Sequence, residues 1–154
     1  MHSRSSISDA GVVALGEGLP RLTTLCIAGS ERITDHSIRV VGARCFQLCH
    51  LSLPYCRNLT DRAFDTIAST QLTSLDVSGT QVSGSLNDNL LRVKDGDLCC
   101  DWCSMLTDAL VDFVLSRPHL LRVNLVGCSL PRASWIRFAE QAATANIKSV
   151  DISY

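Results

Sequence analysis

The sequence predicts an α/β fold made of about six copies of one strand–loop–helix unit. The first observation is a repeated phrase: Leu51–Asp61 reads LSLPYCRNLTD, and Leu98–Asp108 reads LCCDWCSMLTD. The second is a steady period, because the copies begin at residues 22, 48, 72, 95, 120 and 147, at intervals of 26, 24, 23, 25 and 27 residues. A fixed repeat in the twenties indicates units that stack on one another to bury a shared core.

Each copy opens with the spacing of a short strand. Leu51 and Leu53 are two residues apart, which places both on one face of an extended chain. The chain then turns at a small residue that can form a hydrogen bond: Ser30, Cys56, Thr80, Cys103 and Cys128. This pattern predicts a leucine-rich-repeat solenoid, or horseshoe, with helices on its convex face. Short parallel strands are predicted on the concave face near residues 24–28, 50–54, 74–78, 97–101, 122–126 and 149–153.

A helix start follows each turn. A hydroxyl residue stands at each N-cap position: Ser8, Thr34, Thr60, Ser83 and Thr107. Each threonine is followed by an aspartate whose charge suits the helix dipole: Asp35, Asp61 and Asp108. Apolar pairs three apart then form the inner stripe of a helix: Ile38 with Val41, Phe64 with Ile67, Val111 with Val114, and Trp135 with Phe138.

The fourth copy departs from this pattern. Asp95 occupies a position that is leucine in neighbouring copies, so we expect it in a core slot. The stretch SGSLNDNLLRVKDG at 83–96 is a poor helix, and we expect an irregular convex segment whose core is filled by Leu86, Leu90 and Leu91. Residues 7–21 are the helical half of a further copy with no strand before it, and the last copy breaks off inside a strand. We therefore expect a single domain, residues 1–154, that is a slice of a longer array with its ends covered by a large assembly.

Composition excludes several classes of function. The chain of 154 residues has 46% apolar residues, a net charge of −1 and only 5% aromatic residues, which does not suit nucleic-acid binding. No stretch reaches the eighteen apolar residues of a membrane span, and the start has no apolar core of a secretory signal. We therefore expect a cytoplasmic protein with free thiols and with no nucleic-acid, membrane or small-molecule partner.

The chemistry-bearing residues have structural explanations. Cys100 and Cys103 form a C-x-x-C motif, but the repeat places Cys100 in the core and Cys103 at the turn, so only Cys99 faces outward. A zinc site would need a second pair of ligands at useful spacing. The histidines fall in separate units: His2, His36, His50 and His119. We expect no enzyme, no metal site and no cofactor.

The best-formed copy carries a family resemblance. ITDHSIRVVGARCFQLCHLSLPYCRNLTDRAF (Ile33–Phe64), with Cys45 three residues before Leu48, resembles the cysteine-type repeats of the F-box and leucine-rich-repeat family. The next copy, LTSLDVSGTQVS (Leu72–Ser83), gives an order of units similar to that of the leucine-rich-repeat subunit of the nexin–dynein regulatory complex in motile cilia. The resemblance implies a non-catalytic interaction scaffold in the axoneme of a cilium or flagellum. Substrate-recognition repeats of an F-box (SCF-type) ubiquitin ligase receptor are the alternative, although these residues contain no F-box.

The predicted concave face is the candidate partner-binding surface. Side chains between the leucines of each strand point outward. Beyond the strands, aromatic residues alternate with glycines and form candidate pockets for a partner: Tyr55, Trp102 and Tyr154 with Gly29, Gly79 and Gly127. The candidate partner-binding residues are His50, Ser52, Tyr55, Asp76, Asp97, Cys99, Asp101, Trp102, Arg122 and Asn124. The alternative is a merely soluble strand face, with binding through helices or edges.

Overall fold

The structure is a computed structural model that describes residues 7–67, 71–87, 90–91, 95–117, 119–142, 145 and 147–152. The strands are β1 (Thr24–Cys26), β2 (His50–Ser52), β3 (Ser74–Asp76), β4 (Gly96–Cys99), β5 (Leu120–Asn124) and β6 (Ser149–Asp151). The helices are α1 (Asp9–Gly18), α2 (Asp35–Arg44), α3 (Asp108–Leu115) and α4 (Arg132–Ala142), with a short 3₁₀-helix at Asp61–Phe64. Each strand overlaps its predicted range but ends two residues earlier than predicted, and β4 and β5 begin one and two residues earlier. Residue 153 lies outside the described residues.

All six strands form one parallel sheet in chain order, from β1 to β6. The central apolar residues lie side by side, because Leu25 pairs with Leu51, Leu51 with Leu75, and Leu75 with Leu98. The predicted α/β fold with parallel strands is therefore confirmed.

The core lies between the sheet and the helices. Leu51 of β2 and Leu53 just beyond it are buried, as are Ile38 and Val41 of α2, so the strand spacing and the helix stripe meet as predicted. The side chains that alternate with the buried ones along β1–β6 are exposed or half-buried. We call this side of the sheet, together with Ser78 and Asp101 just beyond β3 and β4, the open sheet face.

Helix starts confirm the N-cap prediction at Thr34, Thr60 and Thr107 but not at Ser83, which no helix follows among the described residues, and they add a contact that the prediction did not include. The hydroxyls of Thr34, Thr60 and Thr107 accept hydrogen bonds from backbone N–H groups two residues on, whereas Ser8 makes no such side-chain bond. Each following aspartate also reaches the next unit. The carboxylate of Asp35 accepts from the backbone N–H and the hydroxyl of Thr60 at 2.8 and 2.7 Å.

We call this two-bond contact the aspartate clamp. Asp9 makes the same pair of bonds to Thr34, at 2.8 and 2.7 Å. Asp61 accepts from the N–H and hydroxyl of Ser83, and Asp108 accepts from the hydroxyl of Ser134. The clamps join neighbouring units at their helix starts.

The third and fourth units are less helical than the pattern suggests. The stripe at Phe64 and Ile67 is buried, but it begins with only a short 3₁₀-helix. Among the described residues of 81–95 there is no helix, which agrees with the expected irregular segment. Leu86, Leu90 and Leu91 are buried, as predicted.

The expectation for Asp95 is wrong. Its side chain is exposed and its backbone is left-handed, with φ of 62°. Leu91 instead lies beside Gly96, where the pairing with β5 shifts register. The physical reason is that burying an unpaired carboxylate costs more free energy than bending the chain so that a nearby leucine fills the space.

The turn positions tie each unit to the one before it. Cys56 donates its thiol hydrogen to the carbonyl of Ile27 at 3.5 Å, and Cys103 donates to that of Val77 at 3.2 Å. Thr80 differs, because its hydroxyl donates within its own unit, to Val77 at 2.6 Å. The prediction that this position holds a small hydrogen-bonding residue is therefore confirmed for these three residues, and all three are buried.

Candidate protein-binding surface

Parallel pairing brings the predicted surface residues together in columns. His50 lies beside Ser74, and Asp97 lies beside both Ser74 and Arg122. The second column runs through Ser52, Asp76, Cys99 and Asn124. His50 and Arg122 are exposed and the second column is half-buried, so all of these candidates lie on the open sheet face.

The second column is held in place by a run of hydrogen bonds. The hydroxyl of Ser52 donates to Asp76 at 3.1 Å, and the backbone N–H and hydroxyl of Ser78 donate to the same carboxylate at 3.0 and 2.6 Å. The sulfur of Cys99 lies 3.1 Å from the hydroxyl of Ser78 and donates to Asp101 at 3.3 Å. These contacts fix the side chains before any partner arrives, which lowers the entropy cost of binding.

Asp101 has a structural task as well as a surface position. Its second carboxylate oxygen accepts the backbone N–H of Val126 at 2.8 Å, so it braces the loop after β4 against the loop after β5. This brace immediately precedes Trp102 in the chain. The carboxylate therefore steadies the backbone that carries the tryptophan.

The aromatic residues lie in a row of positions just beyond the strands, which we call the rim, and the backbone there has an unusual conformation. Five equivalent positions after the strands are left-handed: Gly29, Tyr55, Gly79, Trp102 and Gly127 have φ between 59° and 66°. This conformation is nearly free for glycine but costs roughly 1 kcal/mol or more for other residues. Two aromatic residues therefore occupy positions at which glycine would be easier to accommodate.

The alternation with glycine has a packing explanation. A Cβ atom placed on Gly79 would lie 2.4 Å from Cδ1 of Tyr55, and one on Gly127 would lie 2.5 Å from Cε3 of Trp102. Each ring therefore lies over the glycine of the following unit. The sequence showed the alternation, but only the structure shows that the ring needs the missing side chain.

A groove of about 450 Å³ opens between the two aromatic residues. Tyr55 and Trp102 form its walls, and the rest of its lining is polar or small, with one cation: Arg57, Gly79, Thr80, Gln81 and Ser104. Tyr55 is 48% exposed and Trp102 is 57% exposed, so about half of each residue remains accessible. The third predicted aromatic residue, Tyr154, lies outside the described residues.

The cysteines are all free thiols. Cys26 is exposed, Cys99 and Cys128 are half-buried, and Cys56, Cys100 and Cys103 are buried. Burial holds the pKa of Cys100 well above its usual value and raises that of Cys128 to about 11, so these thiols stay protonated at neutral pH. Protonated thiols are poor nucleophiles and poor metal ligands.

The described residues show neither a metal cluster nor a membrane span. No three histidine, cysteine, aspartate or glutamate side chains among them come close enough to hold an ion. His36, His50 and His119 are exposed and lie in separate units, while His2 lies outside the described residues. None of the described helices has the length and apolar character needed to cross a membrane.

Comparison with known proteins supports the fold alone. No protein-family model matches the sequence, and no curated protein matches it significantly. A solved structure titled "Leiomodin-1 Actin-Binding Site 2 (ABS2)" superposes with a TM-score of 0.54 over 97% of this chain and 81% of that one. The two sequences are 13% identical, so the likeness concerns architecture.

Sequence reasoning missed several residues of the surface. Ser78 is buried against Asp76, and Thr80 and Gln81 line the groove, yet none was a candidate. The signal was present, because Ser78 stands two residues after Asp76 on the same side of the chain. What the sequence lacked was the bend that turns residues 79–81 toward the aromatic rings.

Proposed function

We propose that this chain is a non-catalytic leucine-rich-repeat scaffold that binds another protein across its open sheet face. The observation that supports the proposal most directly is the aromatic groove. Tyr55 and Trp102 are exposed, costly in their backbone conformation and fixed over glycines. Large, rigid aromatic side chains with this exposure are the usual anchors of protein interfaces.

The repeat class extends the same proposal. The leucine spacing, the turn cysteines and the period of 23 to 27 residues support a horseshoe whose concave face is the open sheet face. The structural neighbour is named for binding another protein, actin, which supports a protein-binding use of such a fold. At 13% identity it does not make actin the partner here.

The resemblance of Ile33–Phe64 to cysteine-type repeats supports a place in the axoneme, as a structural and regulatory subunit of the nexin–dynein regulatory type. The second candidate is the substrate-recognition region of an F-box ubiquitin ligase receptor, which the same cysteine-type turns favour. Affinity purification of the full-length protein from ciliated cells separates the two. Recovery with extracted axonemes supports the first, and recovery with a cullin adaptor supports the second.

The binding face is tested by a matched pair of aromatic variants. Trp102→Ala removes a groove wall, and Phe46→Ala removes an aromatic side chain that is 59% exposed at the opposite ends of the strands. A thermal melt measures the folded fraction of each variant, and capture is compared per folded molecule. On that basis Trp102→Ala should weaken capture of the purified partner about tenfold or more. Phe46→Ala should leave it within about twofold. Equal capture by both variants would contradict the assignment of this face.

A further inference from the structure

The aromatic groove is rich in hydrogen-bond donors and contains no negative charge. Its lining includes one guanidinium and no carboxylate. Several of the lining side chains carry a polar hydrogen that no other group engages within the described part of the chain: Tyr55, Arg57, Gln81, Trp102 and Ser104. The indole N–H of tryptophan and the guanidinium of arginine can only donate. The groove therefore favours a ligand group that accepts hydrogen bonds.

Three of these donors form a column along one side of the groove. Arg57, Gln81 and Ser104 each stand two residues after the left-handed rim residue of their unit. All three are exposed, and they lie in the loops that lead from the strands toward the helical side. Because they occupy the same position in successive units, one segment of a ligand that crosses the groove meets a donor from each unit.

The carboxylate nearest to Trp102 in the chain does not compete for the cation of the groove. Asp101 accepts from the backbone N–H of Val126 at 2.8 Å and from the thiol of Cys99 at 3.3 Å. It is therefore held on the open sheet face and does not line the groove. Arg57 forms no ion pair within the described part of the chain. One positive charge is left for a ligand to match.

A carboxylate matches this lining better than a phosphate does. A carboxylate carries a single negative charge and accepts two hydrogen bonds from a guanidinium in a planar, bidentate arrangement. The edges of aromatic rings are positive, so an anion is also compatible with the two walls. A phosphate dianion would leave one charge unmatched by Arg57, beside the carboxylates of Asp76 and Asp101 on the open sheet face.

We propose that the aromatic groove binds a glutamate side chain in an acidic segment of a partner protein. The methylene groups of that glutamate lie between Tyr55 and Trp102, and its carboxylate accepts hydrogen bonds from Arg57. The backbone carbonyls beside it accept from Gln81 and Ser104. This inference rests on the proposed function and specifies the chemistry of the partner's anchor.

The first test follows the indole N–H resonance of Trp102 by NMR in the nitrogen-15-labelled full chain. The indole of Trp135 is the internal control, because it lies in α4 and does not line the groove. The probes are two nine-residue peptides, one alternating glutamate with serine and the other alternating glutamine with serine. We expect the glutamate peptide to shift the Trp102 resonance to saturation, and the glutamine peptide to bind about fivefold more weakly.

The second test changes the charge of the groove. Arg57→Gln removes its cation, and Arg39→Gln makes the same change in net charge on the exposed surface of α2. Both side chains are exposed, so both variants should keep the melting temperature of the parent protein. At about 0.15 M salt, where charges beyond roughly 8 Å are screened, Arg57→Gln should weaken binding of the glutamate peptide about fivefold and Arg39→Gln less than twofold.

Each other result overturns the inference. Equal binding of the two peptides means that the groove does not distinguish a carboxylate from an amide. Equal losses in the two variants mean that the peptide responds to net charge alone. An unshifted Trp102 resonance places no ligand in the groove, and tighter binding of the same peptide with phosphoserine in place of glutamate assigns it to a phosphorylated partner.

Capture of the purified partner separates this inference from the proposed function. Capture that weakens with both Trp102→Ala and Arg57→Gln supports both. If capture depends on Trp102 and is unchanged by Arg57→Gln, the scaffold function stands and only the acidic anchor is wrong. If capture is also indifferent to Trp102, both proposals fail.

Discussion

The first three units and the fourth are joined to their neighbours by different means. Asp9, Asp35 and Asp61 each clamp the hydroxyl residue that begins the next unit's helical side. In the fourth unit Gly84 stands where the aspartate would be, and Thr107 instead donates to the carbonyl of Ser83 at 3.1 Å. The aspartate carboxylate of the clamp is thus replaced by a backbone carbonyl, which accepts from both the hydroxyl and the N–H of Thr107.

Gly84 shows why the clamp is absent. Its φ is 97°, and a Cβ atom there would lie 2.4 Å from Cβ and 2.6 Å from Cα of Leu110 in α3. The irregular segment lets α3 approach so closely that no side chain fits. Where one unit has no helix, the helix of the next unit, α3, packs closer to fill the space, and the aspartate clamp is lost.

The irregular segment has a buried cation in place of a helical hydrogen-bond ladder. Arg117 is 1% exposed, donates from Nε to the carbonyl of Leu90 at 2.9 Å and lies over the ring of Phe113 at 4.2 Å. Its contacts to Leu90 and to the carbonyl of Asn87 bind backbone that has no helix to satisfy it. One long side chain thus does locally what a helix does in the other units.

The largest effect is expected in the regular core. Leu53→Ala should lower the free energy of unfolding by about 2–5 kcal/mol, because Leu53 is fully buried between rigid units. Leu90→Ala makes the same change in the irregular segment. We expect the chain there to close over the cavity more easily, so the loss in the free energy of unfolding should be about 2 kcal/mol. Urea denaturation measures both. A larger loss for Leu90→Ala would break the distinction between the two regions.

A second pair isolates the close approach of α3. Gly84→Ala should cost about 2–4 kcal/mol, from the left-handed backbone and from the clash with Leu110. Gly29→Ala has the same left-handed backbone, with φ of 64°, but nothing within 4 Å of the new Cβ, so it should cost only about 1–2 kcal/mol. If thermal or urea melts give the two variants equal stability, then α3 does not pack against Gly84 as described.

A third variant measures the clamp itself. Asp35→Ala removes two hydrogen bonds to Thr60 and should cost about 1–2 kcal/mol, since both bonds use a charged acceptor at a half-buried site. Asp65→Ala removes an exposed carboxylate nearby and should stay within about 0.5 kcal/mol. Similar stabilities in urea for both variants would show that the clamp is only a surface contact.

The smallest expected effect is on the stability of the protein at acid pH. Burial alone would raise the pKa of Asp9, but hydrogen bonds from Ser37 and Thr34 outweigh it and hold that pKa below its usual value of 3.8. The clamp's contribution is therefore complete above about pH 4 and is lost as pH falls through the lowered pKa. Asp9→Asn should flatten the acid limb of a stability–pH curve without changing its neutral shape. An unchanged acid limb would remove Asp9 from the clamp.

Much of this fold follows from residue spacing alone. Leu51 and Leu53 fix a strand, and Thr34 and Thr60 fix helix starts, because alternation and capping are local rules. The same reasoning wrongly placed Asp95 in the core. The exposed bend at Asp95 and the leucine that lies there instead depend on contacts that residue spacing does not encode. The candidate columns of the open face could be predicted once the strands were aligned, but the bonds that make them rigid could not.

The rings that lie over glycines set the spacing of large side chains along the rim. A ring at one unit excludes a side chain at the next, as Tyr55 does at Gly79 and Trp102 does at Gly127, so anchors on this rim come no closer than every second unit. A large side chain at one rim position therefore requires glycine at the next, so the rim positions of neighbouring units are expected to vary together rather than independently.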